Sequence, residues 1–521
     1  MKSADQKPLA IVSCTDKTGL DRWVPQLIKF GFEILSTGGT GSYLKELGIP
    51  ITEVSSYTGQ PEFLGGRVKT LHPKIHGGIL FDRNLPQHSA EMEADHIRPI
   101  DLVIVNLYDF SGNSPGKKAQ EAIEYIDIGG PTMLRAAAKN YVHCLPLIDP
   151  ADYEKVVTKI VSGKNLPMKD RLQLACKVFK TISEYDQKIA QELQATEEVC
   201  EEEAFPSTLP PFALKRTLRY GENPHQKAAL YTGAGQGIFS HMTQHQGKEL
   251  SYNNILDLDA AIGLAADLSD PGVVIVKHTN PCGVASRKET SIDQLFHDAL
   301  NADPQSAFGG IVCCNRPVEK EAAIALTSLF IECVTAPSFS EDALAILSKK
   351  SKLRVITADL SVLKNAKDLA IRSVSGGLLV QETDDKVLDA SEMKAVGEVP
   401  LSLSKQEDLS FGMVVCKHLK SNGIVIARDG VTLGIGAGQM SRIDAIKFAA
   451  EKARQTKQNL KGAVLASDGF FPFRDSVEFS ASLGIDAIIQ PGGSVRDQES
   501  IDAANENKVM LAFSGVRHFR H

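Results

Sequence analysis

The chain contains 521 residues, of which 43% are hydrophobic and 23% are charged, and its formal net charge is −7. This length and composition predict a globular protein of roughly two to four domains, and the acidic balance argues against a nucleic-acid-binding or anionic-membrane surface. The 9 cysteines are dispersed and form no Cys-x-x-Cys pair, which favours reduced thiols over a disulfide framework or a zinc site. The first apolar run, residues 9–12, is too short for a signal-peptide core, and no segment is long enough to span a bilayer. We therefore expect a cytoplasmic protein.

Residues 1–150 alternate short apolar runs with amphipathic segments, a pattern typical of an α/β domain with a mainly parallel sheet. Strands are predicted at residues 10–13, 32–35 and 102–105, and each is followed by a polar turn. Because the carboxyl ends of parallel strands meet at one edge of a sheet, these turns should lie together, where ligands of such sheets usually bind.

A glycine-rich turn after the second strand is a candidate phosphate site. The sequence Ser36-Thr37-Gly38-Gly39-Thr40 precedes a predicted helix, so its backbone amides and the helix dipole would favour an anion. Residues 15–19 and the cation-containing segment 65–70 form two companion turns. Neither a P-loop nor a dinucleotide-binding fingerprint is present, so neither of these nucleotide-binding motifs is predicted.

Tyr108, Asp127 and Lys139 supply a phenol, an acid and a cation around this candidate site. Asp127 and Lys139 flank the start of a helix that is predicted at Gly129, and Tyr108 follows the strand at 102–105. Such groups could transfer protons on a small phosphorylated substrate. In the alternative interpretation, Asp127 is a helix cap and Lys139 is a solvated helix residue.

Residues 151–211 are helical and charged at first, then acidic at 201–203 and rich in proline from 205, which is typical of a domain boundary. Farther on, residues 272–278 followed by Gly283 match residues 412–418 followed by Gly423, because both copies read as a glycine, a buried strand and Lys-His. This internal match predicts a duplicated α/β unit. We predict four regions: a domain at 1–150, a helical segment and linker at 151–211, and two lobes at 212–385 and 386–521.

Lys277 and His278 are catalytic candidates because they directly follow the buried run at 273–276. Histidine titrates near neutral pH, and a partly desolvated lysine can stabilise a developing negative charge. The alternative is an ordinary strand end with two solvated polar residues. The zinc-deaminase pattern is not matched, since position 280 is Asn and a Cys-x-x-Cys pair is missing.

Motifs along essentially the whole chain resemble those of the bifunctional purine-biosynthesis enzymes that combine a formyltransferase acting on aminoimidazole-carboxamide ribotide (AICAR) with inosine monophosphate (IMP) cyclohydrolase. The motifs that carry this resemblance lie at residues 16–19, 36–40, 66–73, 127–130, 136–140, 219–226, 277–283, 421–422, 436–439 and 470–475.

The resemblance implies an N-terminal methylglyoxal-synthase-like domain that houses the cyclohydrolase. It also implies a C-terminal transformylase region of two duplicated cytidine-deaminase-like lobes without zinc. The expected small-molecule partners are a purine ribotide and 10-formyltetrahydrofolate as co-substrate, and no metal takes part in catalysis. The family further implies a homodimer with transformylase sites at the subunit interface.

The resemblance also implies roles for individual residues. His278 would assist proton removal from the attacking amine, Lys277 would stabilise the oxyanion, and Asn422 would position the formyl group. Lys69, Tyr108, Asp127 and Lys139 match the cyclohydrolase site. The expected substrate-binding residues are Ser13, Thr15, Lys17, Ser36, Thr37, Gly38, Gly39, Thr40, Arg67, Thr70, Arg219, Tyr220, Asn254, Asp303, Phe471 and Arg517.

Two features leave alternatives open. Asp109 follows Tyr108 where the family often has proline, which adds an acid beside the phenol, and Lys417-His418 is a competing candidate pair. A non-catalytic regulatory protein that binds folate or purine ribotides is the alternative function. The presence of Lys277, His278 and Lys139 argues against it, because a protein that only binds has little need for a general base.

Overall fold

A computed structural model describes residues 7–62, 64–113, 119–194, 205, 209, 212–233, 237–364 and 369–521. The chain divides into two compact units, Met1–Pro206 and Ser207–His521. The acidic run at 201–203 and the prolines at 206, 210 and 211, which predicted a domain boundary, lie outside the described residues.

The N-terminal unit is built on a five-stranded parallel sheet with the strand order β3-β2-β1-β4-β5. The strands predicted at 10–13, 32–35 and 102–105 correspond to β1, β2 and β4, so the prediction of a parallel α/β domain is confirmed. Its strands are β1 (Leu9–Ser13), β2 (Glu33–Ser36), β3 (Thr52–Glu53), β4 (Leu102–Val105) and β5 (Leu145–Leu147).

Alternate residues of the buried strands point to opposite faces of this sheet. Helices cover both faces, and the side chains on each face belong to a separate hydrophobic core. The long helix α10 lies in this unit and packs on α8 and α6. The helices are α1 (Leu20–Phe30), α2 (Gly38–Glu46), α3 (Val54–Thr58), α4 (Pro73–Leu80), α5 (Pro86–Ala94), α6 (Phe110–Asn113), α7 (Ala119–Ala122), α8 (Gly129–Lys139), α9 (Tyr153–Val161) and α10 (Met168–Gln194).

The C-terminal unit contains a mixed 12-stranded sheet with the order β16-β21-β20-β19-β17-β18-β10-β9-β11-β12-β13-β8, and two separate two-stranded ribbons, β6-β7 and β14-β15. The strands are β6 (Ala213–Leu218), β7 (Ala228–Thr232), β8 (Thr243–Gln246), β9 (Gly272–Lys277), β10 (Asn280–Ser286), β11 (Ile311–Cys314), β12 (Cys333–Ala336), β13 (Arg354–Thr357), β14 (Leu369–Val374), β15 (Gly377–Glu382), β16 (Lys394–Ala395), β17 (Ile424–Arg428), β18 (Val431–Gly436), β19 (Val464–Ser467), β20 (Ala487–Gln490) and β21 (Met510–Phe513).

One order of elements, α-β-β-α-β-α-β-α-β, occurs twice in this unit, from α12 to β13 and from α18 to β21, with the short α14 as an addition to the first copy. The strand order of the second copy mirrors that of the first about the β18–β10 pair. The helices are α11 (Ile238–His241), α12 (Tyr252–Asp267), α13 (Ile292–Leu300), α14 (Pro304–Ala307), α15 (Lys320–Leu326), α16 (Glu341–Leu347), α17 (Ser361–Lys364), α18 (Leu403–Lys417), α19 (Arg442–Gln455), α20 (Asp475–Ser482) and α21 (Asp497–Asn507).

The predicted strand at residues 412–416 is wrong, because this segment is the last part of α18. Every residue from Gly412 to Lys417 is buried, so the segment lacks the polar positions that would distinguish a helix from a buried strand. In the repeated order of elements, the counterpart of the β9–β10 hairpin is therefore the β17–β18 hairpin. Lys277-His278 thus corresponds in position to Arg428-Asp429 and not to Lys417-His418.

Among the helices that the structure describes, none combines the length and the apolar character needed to cross a membrane.

Candidate active sites

The turns after β1 and β4 are joined at the carboxyl edge of the N-terminal sheet by one asparagine. The Oδ1 atom of Asn106 accepts hydrogen bonds from the backbone N–H groups of Thr15 and Asp16 at 2.6 and 3.0 Å. The Nδ2 atom of Asn106 donates to the carbonyl oxygen of Asp16 at 2.7 Å. Sequence reasoning missed Asn106, although a polar residue directly after a buried strand was a usable signal.

Two hydroxyl groups of the predicted phosphate turn are used within the fold. Ser36 donates to the carbonyl oxygen of Val12 at 2.8 Å, and Thr40 bonds both backbone groups of Cys14 at 2.8 Å. Both side chains are buried. These residues therefore shape the turn, and the backbone amides at the start of α2 are the groups left to meet an anion.

Lys69 lies over the first residue of α2. Its Nζ atom is 3.2 Å from Oε2 of Glu62, and Oε1 of Glu62 accepts a hydrogen bond from Thr37 at 2.9 Å. A Cβ added to Gly38 would lie 3.3 Å from that Nζ, and Gly38 has a φ of +55°. Glycine at this position thus allows the Lys69 ammonium group to approach the start of α2. The ammonium group and the helix start together favour binding of a phosphate.

The remaining predicted residues at this edge have more varied environments. Lys17 lies 5.9 Å from the centre of the Tyr43 ring, and Arg67 forms an ion pair with Glu124. Thr70 is buried against the start of α8, since its Oγ1 would be 2.7 Å from a Cβ added to Gly129. Ser13 ends β1, and Gly39 has open space beside it.

Asp127 is held by two backbone N–H groups and by one side-chain hydroxyl. Its Oδ1 accepts the N–H of Gly130 at 2.9 Å, its carboxylate also accepts the backbone N–H of Tyr108, and its own N–H donates to the Tyr185 hydroxyl at 2.9 Å. Burial raises the pKa of Asp127 above its ordinary value, and the two amide hydrogen bonds act in the opposite direction. The Tyr108 side chain is 54% exposed, which leaves it open to a ligand.

Lys139 lies apart from this group, at the last position of α8. With a rise of 1.5 Å per residue, it is about 15 Å along the helix from Gly129. It lines a largely apolar groove of about 790 Å³, together with Leu71, His72, Pro73, His76, Leu80, Thr132, Arg135, Ala136 and Phe179. In a single chain the structure therefore does not bring Lys139 together with Asp127.

In the C-terminal unit, Lys277 and His278 lie at the β9–β10 turn and line a cavity of about 480 Å³. His278 and Thr279 form a two-residue turn with φ values of 53° and 62°. The equivalent turn after β17 is Asp429-Gly430, the residue types that this conformation favours. A histidine that keeps this backbone conformation is typical of a functional site, because the conformation is costly for a residue with a Cβ.

Two further contacts define this turn. The Nζ of Lys277 donates to the carbonyl oxygen of Phe308 at 2.6 Å. Oδ1 of Asp257 accepts the N–H of Thr279 at 2.6 Å, and the carboxylate also accepts the backbone N–H of His278. Burial raises the pKa of Asp257 despite these hydrogen bonds. Asp257 thus fixes the turn from α12, a role that the sequence did not reveal.

Asp303 forms part of the wall of the same cavity. Its carboxylate accepts hydrogen bonds from the N–H and Oγ of Ser306 at 3.0 and 2.6 Å and from Nζ of Lys452 at 2.7 Å. Burial alone would raise the pKa of Asp303, but the bonds from Lys452 and Ser306 outweigh it and lower that pKa. Lys452 was missed in the sequence because it lies in the last turn of α19 without a motif around it.

Asn422 lines a second cavity, of about 410 Å³, with Arg442, Phe470, Phe473 and Phe519 among its walls. Oδ1 of Asn422 accepts from Nη2 of Arg442 at 2.6 Å, and its Nδ2 donates to the carbonyl oxygen of Gln439 at 2.9 Å. Asn422 thus borders a different cavity from Lys277 and His278, although the two loops are joined in one chain, since the backbone N–H of Lys420 donates to Oδ1 of Asn280 at 3.0 Å.

Two residues that were predicted to lie around the ligand base are buried in the single chain. Phe471 is fully buried in the hydrophobic core of the second repeat, so Phe470 and Phe473 are the rings that border the cavity. Asn254 is 6% exposed and forms a capping box with Ser251 at the start of α12. Its amide also donates to Glu332 at 3.2 Å, which leaves little of the side chain for a ligand.

The predicted ribotide-binding arginines are exposed and lie beside aromatic rings. The guanidinium of Arg517 is 4.4 Å from the centre of the Phe519 ring, which borders the second cavity. Arg219 is 5.6 Å from the ring centre of Tyr220, directly after β6. Such exposed cations remain available for a phosphate group.

The competing pair, Lys417 and His418, is buried at the end of α18. Oδ2 of Asp267 lies 2.9 Å from Nζ of Lys417 and 2.6 Å from Nε2 of His418. Burial lowers the pKa of His418, and the hydrogen bond to Asp267 acts in the opposite direction. This pair therefore connects the ends of α18 and α12 and stabilises the fold.

In the part of the chain that the structure describes, no group of three or more His, Cys, Asp or Glu residues is arranged to hold a metal ion.

Comparisons with known proteins cover both units. The family model described as AICARFT/IMPCHase bienzyme matches residues 137–452, and the model of the MGS-like domain matches residues 19–132. The chain is 48% identical to the bifunctional purine biosynthesis protein PurH of Nostoc punctiforme, over 98% of this chain and 99% of the relative. It is 47% identical to the protein of the same description from Anoxybacillus flavithermus, over 99% of this chain and 100% of the relative. Together, the matched domains and the end-to-end identity show that the chain belongs to the AICARFT/IMPCHase bienzyme family.

Proposed function

We propose that the N-terminal unit carries out ring closure and the C-terminal unit carries out formyl transfer. As a member of its family, the protein is an enzyme that catalyses the last two steps of IMP synthesis. A formyl group passes from 10-formyltetrahydrofolate to AICAR, and formyl-AICAR then closes to IMP with loss of water. The alternative of a regulatory protein without turnover is not supported.

For ring closure, the substrate phosphate would bind at the start of α2 beneath Lys69. The carboxamide nitrogen attacks the formyl carbon, so a C–N bond forms and the former formyl oxygen leaves as water. Asp127 would accept the proton from the attacking nitrogen, and the exposed Tyr108 hydroxyl would hydrogen-bond the formyl oxygen. The observation that supports this assignment is the half-buried Asp127 carboxylate, which accepts hydrogen bonds from the backbone amides of Gly130 and Tyr108.

For formyl transfer, the 5-amino group of AICAR attacks the formyl carbon, and the folate nitrogen then leaves. His278 would take the proton from the amine, while Lys277 stabilises the oxyanion and assists the departing nitrogen. Asn422 would orient the formyl group. The observation that carries this proposal is the His278 backbone, which Asp257 holds in a positive-φ turn on the wall of a cavity of about 480 Å³.

We place the complete sites in a homodimer. Lys139 lies about 15 Å along α8 from the start of that helix, apart from Asp127. A second copy of the chain would supply the groups that one chain keeps apart.

We assign the C-terminal region to two duplicated cytidine-deaminase-like lobes without zinc, at about 212–385 and 386–521, and the repeated order of elements supports the duplication. A cyclohydrolase domain at 1–150 and a helical segment and linker at 151–211 precede them. The free thiols of the described cysteines are consistent with a cytoplasmic location.

The assignment of formyl transfer to His278 is tested by His278→Ala, with His418→Ala as the matched control. His278→Ala should lower formyl transfer by about 10²- to 10⁴-fold, because a general base is lost. Cyclisation of supplied formyl-AICAR should stay at the wild-type rate. His418→Ala should retain formyl transfer in the folded protein. An equal loss in both variants, or loss of both activities in folded His278→Ala, would contradict the assignment.

A further inference from the structure

The side chain of Tyr185 links helix α10 to the loop that carries Asp127. The Tyr185 hydroxyl oxygen accepts a hydrogen bond from the backbone N–H of Asp127 at 2.9 Å. The tyrosine is buried, and its ring belongs to a small hydrophobic cluster with Phe110 and Ala122, separate from the two main cores of the unit. Tyr185 therefore contacts the segment between β4 and α8 in two ways, through its ring and through its hydroxyl.

The position of the Asp127 carboxylate depends on this backbone contact. The carboxylate accepts the N–H of Gly130, at the start of α8, and the N–H of Tyr108, in the loop after β4. Both of these bonds involve the side chain of Asp127. The Tyr185 hydroxyl adds a third bond, which holds the backbone N–H of Asp127. If the hydroxyl were removed, the Asp127 N–H would lose its partner in a half-buried site, and the loop would shift to satisfy it.

We propose that Tyr185 is a positioning residue for ring closure, because its hydroxyl holds the Asp127 backbone so that the carboxylate stays within reach of the reacting nitrogen. This inference rests on the proposed role of Asp127. It also makes α10 part of the cyclohydrolase, although the sequence analysis assigned residues 151–211 to a separate helical segment and linker.

The test is Tyr185→Phe, which keeps the ring in its cluster and removes only the hydroxyl. We expect kcat for cyclisation of supplied formyl-AICAR to fall by about tenfold, with KM changed by less than about twofold, because misplacement of a catalytic group mainly affects the chemical step. Formyl transfer by the same protein should be unchanged. Fluorescence of Trp23, the single tryptophan, reports whether the N-terminal unit is folded.

Tyr57→Phe is the matched control. The Tyr57 hydroxyl accepts the backbone N–H of Arg98 at 3.1 Å, so the same kind of bond is lost in the same unit at a position outside the site. Its thermal unfolding should shift by about as much as that of Tyr185→Phe, while cyclisation stays at the wild-type rate.

Asp127→Asn separates failure of this inference from failure of the proposed function. Wild-type cyclisation by Asp127→Asn would refute the role of Asp127 itself. If Asp127→Asn is impaired, the inference about Tyr185 is overturned by any of three results for Tyr185→Phe. These are a kcat for cyclisation no lower than that of Tyr57→Phe, a raised KM with unchanged kcat, and an equal loss of formyl transfer.

Discussion

The Nζ of Lys452 lies 2.7 Å from Oδ2 of Asp303, and this ion pair joins α19 of the second repeat to the cavity that holds Lys277 and His278 in the first. Lys452 is 21% and Asp303 13% exposed in their side chains, so solvent screens the pair only in part. The cavity therefore depends on both repeats of the C-terminal unit.

Lys452→Met should lower kcat/KM for formyl transfer by about tenfold and leave cyclisation unchanged. The substitution keeps the aliphatic part of the side chain but leaves a partly buried carboxylate with Ser306 alone, and a lost charge-assisted bond is worth about 1.5 to 3 kcal/mol. Lys447→Met is the control, since Lys447 forms an exposed pair with Asp444 on the same helix. Equal activities of the two variants would show that the pair does not support the site.

Gly38→Ala should raise KM for formyl-AICAR by about tenfold. Alanine at a φ of +55° costs about 1 to 2 kcal/mol, and its Cβ would lie 3.3 Å from Nζ of Lys69. Gly48→Ala, just after the end of α2, is the matched control, because Gly48 also has a positive φ, of +70°, but a Cβ there has open space and the residue is not among those predicted to bind substrate. Steady-state cyclisation assays of both variants measure KM for formyl-AICAR. An unchanged KM for Gly38→Ala would show that this turn does not bind the substrate.

Lys139→Ala should form formyl-AICAR at the wild-type rate but accumulate it, because ring closure loses a cation while formyl transfer is untouched. Chromatography of the reaction with AICAR and 10-formyltetrahydrofolate measures the two products. Lys180→Ala, at an exposed pair with Glu184 in the same unit, is the control. Production of IMP by Lys139→Ala at the control rate would show that Lys139 has no role in ring closure.

The C-terminal unit should lose stability as the pH falls from 7.5 to 5.5. The folded protein holds His418 with a lowered pKa because the residue is buried, so the unfolded chain binds the proton more readily below about 6.5. Asp267 does not titrate in this window, since its ion pairs with His418 and Lys417 lower its pKa although burial alone would raise it.

His418→Gln should be less stable than the wild type at pH 7.5 but should lose less on acidification. Urea unfolding followed by circular dichroism reports both units, and Trp23 fluorescence reports the N-terminal unit alone, so that the C-terminal transition is obtained by comparison of the two signals. His297→Gln, at an exposed position of α13, is the control. An identical pH dependence of His418→Gln and the wild type would contradict the role of His418.

The sequence by itself determined the parallel N-terminal sheet, the glycine-rich turn after β2, and the Lys277-His278 pair at the end of β9. These features depend on local signals: a short run of β-branched residues followed by a turn has the same outcome in most contexts. The motif set also determined the family, since sequence identity extends along the whole chain.

Only the tertiary structure decided which of several segments with similar sequences, and which of several similar side chains, lie at a site. Residues 412–416 read like β9 but form the buried end of α18, because a fully buried segment shows no periodicity that separates helix from strand. Phe471 is in the core while Phe470 and Phe473 border a cavity, a difference of one residue that composition does not show. Asn106, Asp257, Lys452 and Tyr185 act across separations of 22 to 149 residues, and contacts between such distant positions are set by packing, not by local sequence.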